Sequence, residues 1–134
     1  MDRYTQLNAF VDEHRNAPFE WGHIDCIQLV REWAKRATGV LLCPDLAAYS
    51  TALGALRVLH KLKYASLDDA LDDHFETREP AFVQRGDIVT YASTITEGFP
   101  VAAGVCCGEV SVFPGANGLI FNPTNECQKF WRVD

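Results

Sequence analysis

No stretch of this sequence approaches the roughly eighteen consecutive apolar residues of a membrane-spanning helix. Met1 is followed by Asp2 and Arg3 rather than by an apolar signal segment, so synthesis and folding in the cytosol are expected. Cys-x-x-Cys pairs are missing too, which removes the usual spacing of structural zinc and iron–sulfur sites. The adjacent Cys106 and Cys107 do not replace them, because neighbours on a strand point to opposite faces. The five cysteines are an odd number, and without a secretion signal they read as reduced thiols rather than a disulfide framework. Cys43 and Cys127 read as small core or loop residues, and no metal and no cofactor are expected. There is no Lys/Arg stripe, and a net charge of -6 with a pI near 5.1 argues against nucleic acid and anionic membrane as partners. Repeats, low-complexity tracts and Gly/Ser linkers are absent as well, so residues 1–134 are expected to form one domain.

What is present points to an ordinary packed core. Hydrophobic residues make up 48% of the chain, with three Trp, eight Phe and four Tyr. The first part of the sequence has helical periodicity and the part after Pro80 is strand-like, an order that favours α+β. Residues 3–15 place Tyr4, Leu7, Phe10, Val11 and His14 at helical spacing, ahead of Pro18. Asp25 is suited to cap a second helix running to about Thr38, with Cys26, Val30, Trp33 and Ala37 on one face and Gly39 as its stop. Leu53, Leu56, Leu59 and Leu62 mark a third helix, and Ser66 with Asp69 forms a capping-box pattern for a fourth through Phe75. Six of the eighteen acidic residues fall between Asp68 and Glu79, which reads as a solvated helix face, with a partner-binding patch as the alternative. Strands are expected at Ile88–Tyr91, Val101–Cys107, Val110–Phe113, Leu119–Phe121 and Phe130–Val133. Turns at Gly108-Glu109 and Pro114–Gly118 make the sheet antiparallel.

The stretch Phe19-Glu20-Trp21-Gly22-His23-Ile24-Asp25-Cys26-Ile27-Gln28-Leu29-Val30 carries the chemistry. A glycine-containing loop delivers a cysteine to the start of an apolar helix, where unpaired amides and the helix dipole stabilise a thiolate. Cys26 is therefore the candidate nucleophile, and its own amide can help bind an oxyanion. The bland reading of Cys26 is a small buried side chain beside Val30 and Trp33. Trp21 is expected to be largely buried, closing the loop over the helix start.

These residues resemble the nucleophile motif of the NlpC-like cell-wall cysteine peptidases, a papain-type fold, with Trp21, Gly22, Asp25, Cys26, Leu29 and Val30 matching. Arg85-Gly86-Asp87-Ile88-Val89 is similar to that family's Pro-Gly-Asp turn into a strand. The strand that carries the family's general base aligns with Ala102-Ala103-Gly104-Val105-Cys106-Cys107-Gly108, which puts Ala102 at the base position. The second Gly of the family's loop is His23 here, and its Ser-Gly after the nucleophile is Ile27-Gln28. More closely, the chain resembles a family of small proteins encoded among the tail genes of tailed phages and prophages. That resemblance runs through Pro18-Phe19, Trp21-Gly22, Asp25-Cys26, Tyr49 to Ala55, Ala103-Gly104-Val105, Gly118-Leu119 and Trp131-Arg132-Val133.

The resemblance implies an α+β, NlpC-type domain with a helical insert around 50–76 and a catalytic centre that has lost its histidine. Without an imidazole, general-base and general-acid help, worth about 10² to 10⁴-fold, is missing. His23, three residues before Cys26, is the candidate substitute base through a folded-back loop. His14 reads as a packed or surface residue, and His60 and His74 belong to the insert. Asn122 is the candidate for the polar residue that orients the base, and equally a turn former before Pro123. The implied role is a phage tail tip, baseplate or tail-assembly component that contacts other phage tail proteins and resides in the virion tail once assembled. The alternative is a thiol hydrolase acting on peptidoglycan fragments with Cys26 and either His23 or a partner-supplied base. A third reading is a host-side prophage remnant that binds a peptide or cell-wall fragment in the old groove without cleaving it.

Overall fold

The computed structural model describes residues 2–92 and 101–134. Helix α1 (Arg3–His14) starts where the Asp2 carboxylate accepts from the Thr5 amide at 2.9 Å, and it buries Leu7, Phe10 and Val11. Helix α2 (Cys26–Thr38) is capped by Asp25 and ends at Gly39, whose φ of 79° lets the chain turn out of the helix. Helix α3 (Ala52–Lys61) is capped by Thr51 and α4 (Leu67–His74) by Ser66. Short polar side chains at all four starts satisfy amides that have no partner within the helix. Among the described residues no helix is long and apolar enough to cross a membrane.

The strands are β1 (Ile88–Ala92), β2 (Val101–Cys106), β3 (Val110–Gly115), β4 (Gly118–Pro123) and β5 (Lys129–Trp131). They form one sheet in the order β4-β3-β2-β1-β5 with every pair antiparallel. The expected turn over Pro114–Gly118 is tighter than its sequence implies. Pro114 and Gly115 continue β3, and Gly115 pairs directly with Gly118. Because β4 and β5 occupy opposite edges, residues 124–128 carry the chain across the sheet.

Alternation along the strands builds two apolar layers. Ile88, Ala103, Val105 and Val112 join the helices in the main core, whereas Val89, Cys106 and Phe113 lie with Cys127 and Phe130 in a smaller cluster on the opposite face. Helix α2 packs its Val30 and Trp33 face into the main core, as the spacing predicts. Trp33 is fully buried, and its indole N–H donates to the Gly86 carbonyl at 2.7 Å. That bond ties α2 to the turn entering β1, where Asp87 is buried and accepts from the Gln84 amide at 2.8 Å and lies 2.8 Å from Arg78 Nε. Trp33→Phe keeps most of the apolar volume but leaves the buried Gly86 carbonyl without its donor. We expect a loss of about 2 kcal/mol in the unfolding free energy from urea titration. A loss under about 0.5 kcal/mol would show that water replaces the indole.

Candidate active site

The loop before α2 is shaped by its own backbone. The Glu20 amide donates to the Ile24 carbonyl at 2.9 Å, and the His23 and Ile24 amides both return to the Glu20 carbonyl, at 3.0 and 2.8 Å. Closing so tight a loop requires Gly22, at φ +89°, and a side chain there would start 2.1 Å from the Tyr49 carbonyl oxygen. Only glycine meets both conditions.

Asp25 joins this loop to the helix and to a distant segment. Its carboxylate accepts from the Gln28 amide at 2.8 Å, the Gly22 amide at 2.8 Å and the Tyr49 hydroxyl at 2.7 Å, and the residue is fully buried. Gln28 Nε2 in turn donates to the Tyr49 oxygen at 3.2 Å. Arg31, one turn further along α2, holds the Leu42 and Cys43 carbonyls at 2.9 and 3.3 Å. The Trp-Gly-x-x-Asp-Cys pattern thus encodes a capped helix start pinned from three sides. Sequence reasoning found Asp25 as a cap but missed Tyr49, which no local pattern links to it.

Cys26 is the first residue of α2, as expected, and its surroundings favour the reading of a small buried side chain over that of a reactive thiolate. The residue is only 5% exposed. Burial pushes its thiol up to about 12 and the neighbouring Asp25 carboxylate acts in the same direction, while the amides of Ala103, Cys26 and Ile27 oppose them without prevailing. The helix start does favour the anion, but desolvation of a buried charge outweighs it.

The expected place of the missing base also shifts by one residue. Ala102 packs with the cluster on the far face of the sheet, and Ala103 lies in the main core with Cys26. Ala103 is opposite Thr90 in the β1–β2 ladder, and of the three amides that favour the Cys26 thiolate it is the one contributed by the sheet. Strand alternation fixes the consequence: Ala103, not Ala102, faces the thiol.

All four histidines belong to described residues, and none supplies a contact to Cys26. His23 is exposed, and no histidine is among the groups that shift the thiol. His14 is packed, its Nδ1 2.8 Å from the Phe10 carbonyl and its Nε2 2.7 Å from Glu32. His60 and His74 contact the Ala65 and Ala70 carbonyls at 3.3 and 3.0 Å. Asn122 lies within β4 rather than in a turn, and its amide donates to the Tyr91 hydroxyl at 3.4 Å. Tyr91 stacks edge-on against Phe113 in the far-face cluster, at 4.9 Å between centroids. His23 is exposed where Cys26 is buried, and the hydrogen bond of the Asn122 amide goes to Tyr91 rather than to either of them. Trp21, expected to be largely buried, is only partly so. It leans on the main core and meets Phe19 edge-to-face at 4.9 Å.

Glu13, His14 and Glu32 place three potential ligand atoms within 4.8 Å of one another. The Arg36 guanidinium contacts both carboxylates there, so a cation already neutralises the group.

The fold and this centre define an α+β protein in which a cysteine opens a buried helix packed on an antiparallel sheet. The chain belongs to the family described as a domain of unknown function, DUF6950, whose model matches residues 1–133. No curated protein sequence matches it. Among solved structures it is similar to RipD from Mycobacterium tuberculosis, described as a non-catalytic NlpC/p60 domain protein with an adaptation to peptidoglycan-binding function. The two share 16% identity at a TM-score of 0.49, over 100% of this chain and 99% of that one.

Proposed function

We propose that this chain is a non-hydrolytic domain of cysteine-peptidase type that acts by protein–protein contact within a phage tail tip or baseplate. The closed state of Cys26 carries the non-hydrolytic half of the reading. A nucleophile must be ionisable, reachable and paired with a base. Here the thiol is 5% exposed and pushed up to about 12, and Ala103 occupies the facing strand position. The tail-assembly half rests on the sequence resemblance through Trp21-Gly22 and Asp25-Cys26.

Cell-wall fragments and purified muropeptides test the first half. Wild type and Cys26→Ser are both expected to release no peptide above buffer at neutral pH. Release by the wild type that disappears in Cys26→Ser would overturn the reading in favour of the thiol hydrolase. Co-elution of the wild-type chain with the products of neighbouring tail genes, equally strong for Cys26→Ser, is the expected result for the second half.

A further inference from the structure

Three cavities lie in series along the side of the molecule formed by α4, β5 and two short 3-10 turns, Pro80–Phe82 and Thr124–Glu126, and no residue of the Cys26 loop lines any of them. The first, about 670 Å³, is walled by Pro80, Val83, Val110, Pro123 and Phe130, with Glu109 at its edge. The second, about 290 Å³, shares Pro80 and Phe130 with the first and extends past Glu79 and Lys129 to Asp72. The third, about 710 Å³, shares Asp72 and Thr77 with the second and is closed by Asp73 and Glu76. One end of this groove is apolar and the other acidic.

From this gradient we infer that the groove docks an extended segment of a partner protein bearing an apolar side chain next to a run of Lys or Arg. The inference deepens the contact-based reading above and rests on it. At the apolar end Val110 in the wall is 40% exposed, and Phe82, next in sequence to the wall residue Val83 though not itself in the wall, is 66% exposed. At the other end carboxylates outnumber cations: Asp72, Asp73, Glu76 and Glu79 line it, and of these four only Glu76 has an ion pair, with Arg132 at 3.7 Å. Asp72 and Asp73 receive only neutral donors, the Trp131 indole and the Tyr64 hydroxyl. Among the described residues Glu79 there and Glu109 at the apolar end have no ion pair. Lys129 and Arg78 line the second cavity but are already paired, Lys129 to Asp68 at 3.2 Å and Arg78 to buried Asp87 at 2.8 Å.

Charge also decides between occupants. A second copy of a chain at -6, a nucleic acid or an anionic membrane would each be repelled, whereas a basic segment is attracted. Docking by strand addition is closed off. The outer edge of β5 is already paired, with the Arg78 amide on the Phe130 carbonyl and the Arg132 amide on the Glu76 carbonyl, both at 2.8 Å. Recognition therefore falls to side chains: an apolar anchor for affinity and basic residues for orientation.

The test uses fluorescein-labelled peptides and the full chain, read by anisotropy. One peptide carries Phe and Leu followed by four Lys or Arg residues, with the reversed order as a second probe. In the controls Gly and Ser replace the apolar pair, or Glu replaces the basic run. One of the two probes is expected to bind at micromolar levels and to weaken about tenfold between roughly 50 and 500 mM NaCl. Both control peptides should bind at least about tenfold more weakly, the acidic one least. The double variant Glu79→Lys/Glu109→Lys changes two exposed side chains and should retain its circular dichroism while losing about tenfold in affinity, with Cys26→Ser unchanged. Binding no better than the acidic control, or affinity unaltered in the double variant, overturns the groove. Cleavage of wall fragments would overturn the non-hydrolytic reading alone, so the two failures are distinguishable.

Discussion

Asp25→Ala is expected to lower the unfolding free energy by about 3–5 kcal/mol, well beyond the ~1 kcal/mol of an ordinary helix cap. The difference comes from burial. The carboxylate is fully buried and satisfies the Gly22 amide, the Gln28 amide and the Tyr49 hydroxyl together. Alanine removes the acceptor and leaves three donors in a site with little room for water, each costing about 1–3 kcal/mol less whatever relaxation recovers. The consequences reach beyond α2, because Gly22 holds the preceding loop and Tyr49 holds the segment before α3. Burial and the same carboxylate also keep the Tyr49 hydroxyl protonated far above the ordinary tyrosine range, so it remains a donor at any working pH. Asp25→Asn keeps one acceptor but turns an amide N–H toward existing donors, and it should fall between alanine and wild type. Urea unfolding followed by tryptophan fluorescence measures both variants. A loss below about 1 kcal/mol for Asp25→Ala would show that the loop and the Tyr49 segment are held by something else.

This centre also shows how far local chemistry can be read from a sequence. The start and stop of α2 were legible because Asp25 and Gly39 act within a turn of the helix they bound, and the structure places both as expected. Ser66 and Asp69 were legible for the same reason, although their reciprocity is altered. Ser66 accepts from the Asp69 amide, but the Asp69 carboxylate reaches back to the Ala65 amide at 3.1 Å. The five strands follow from their β-rich runs and intervening turns. Strand register did not, and the reason is specific to β2. Ala102, Ala103 and Gly104 are all small, so no contrast of large apolar against polar tells which of them faces the helices. The pairing of Thr90 with Ala103 and Val89 with Gly104 decides it. The approach of β3 then leaves no space at Gly104, where a Cβ would lie 2.0 Å from the Val112 carbonyl.

Long-range partners were equally invisible. Tyr49 is 24 residues from Asp25 and Trp33 is 53 from Gly86, and no periodicity couples positions so far apart. The two readings of Cys26 stayed open in the sequence for a related reason. The helix-start effect that lowers a thiol is local, whereas the burial that raises it is a property of the assembled core. The four helix caps and the central cysteine are thus products of nearest neighbours, while the chemistry of that cysteine belongs to the whole fold.

The stability of the wild type relative to Cys26→Ala should fall as the pH is raised from about 8.5 to about 12. In the unfolded chain the thiol ionises near its ordinary value of ~8.5. In the folded chain burial and Asp25 push it up to about 12. Between these values the unfolded state binds fewer protons than the folded one, so the free energy of unfolding decreases with rising pH, by up to about 1.4 kcal/mol per pH unit for this one group. Below ~8.5 the contribution is constant and fully present. Cys107 and Cys127, each raised to about 11, titrate in the same range, but they are common to both proteins and cancel in the comparison. At pH ~10.5 the expected loss relative to pH 7 is about 2–3 kcal/mol, read from urea midpoints of the two proteins at matched ionic strength. Thiol labelling gives a second readout on the same molecule. In native protein at pH 8, iodoacetamide should leave Cys26 unmodified on the timescale that labels it fully in urea, as mapped by peptide mass. A reactive helix-start thiolate would behave in the opposite way. Its folded value would lie below the unfolded one, the difference curve would be flat above ~8.5 and decline toward acid, and labelling would be fast in the native state.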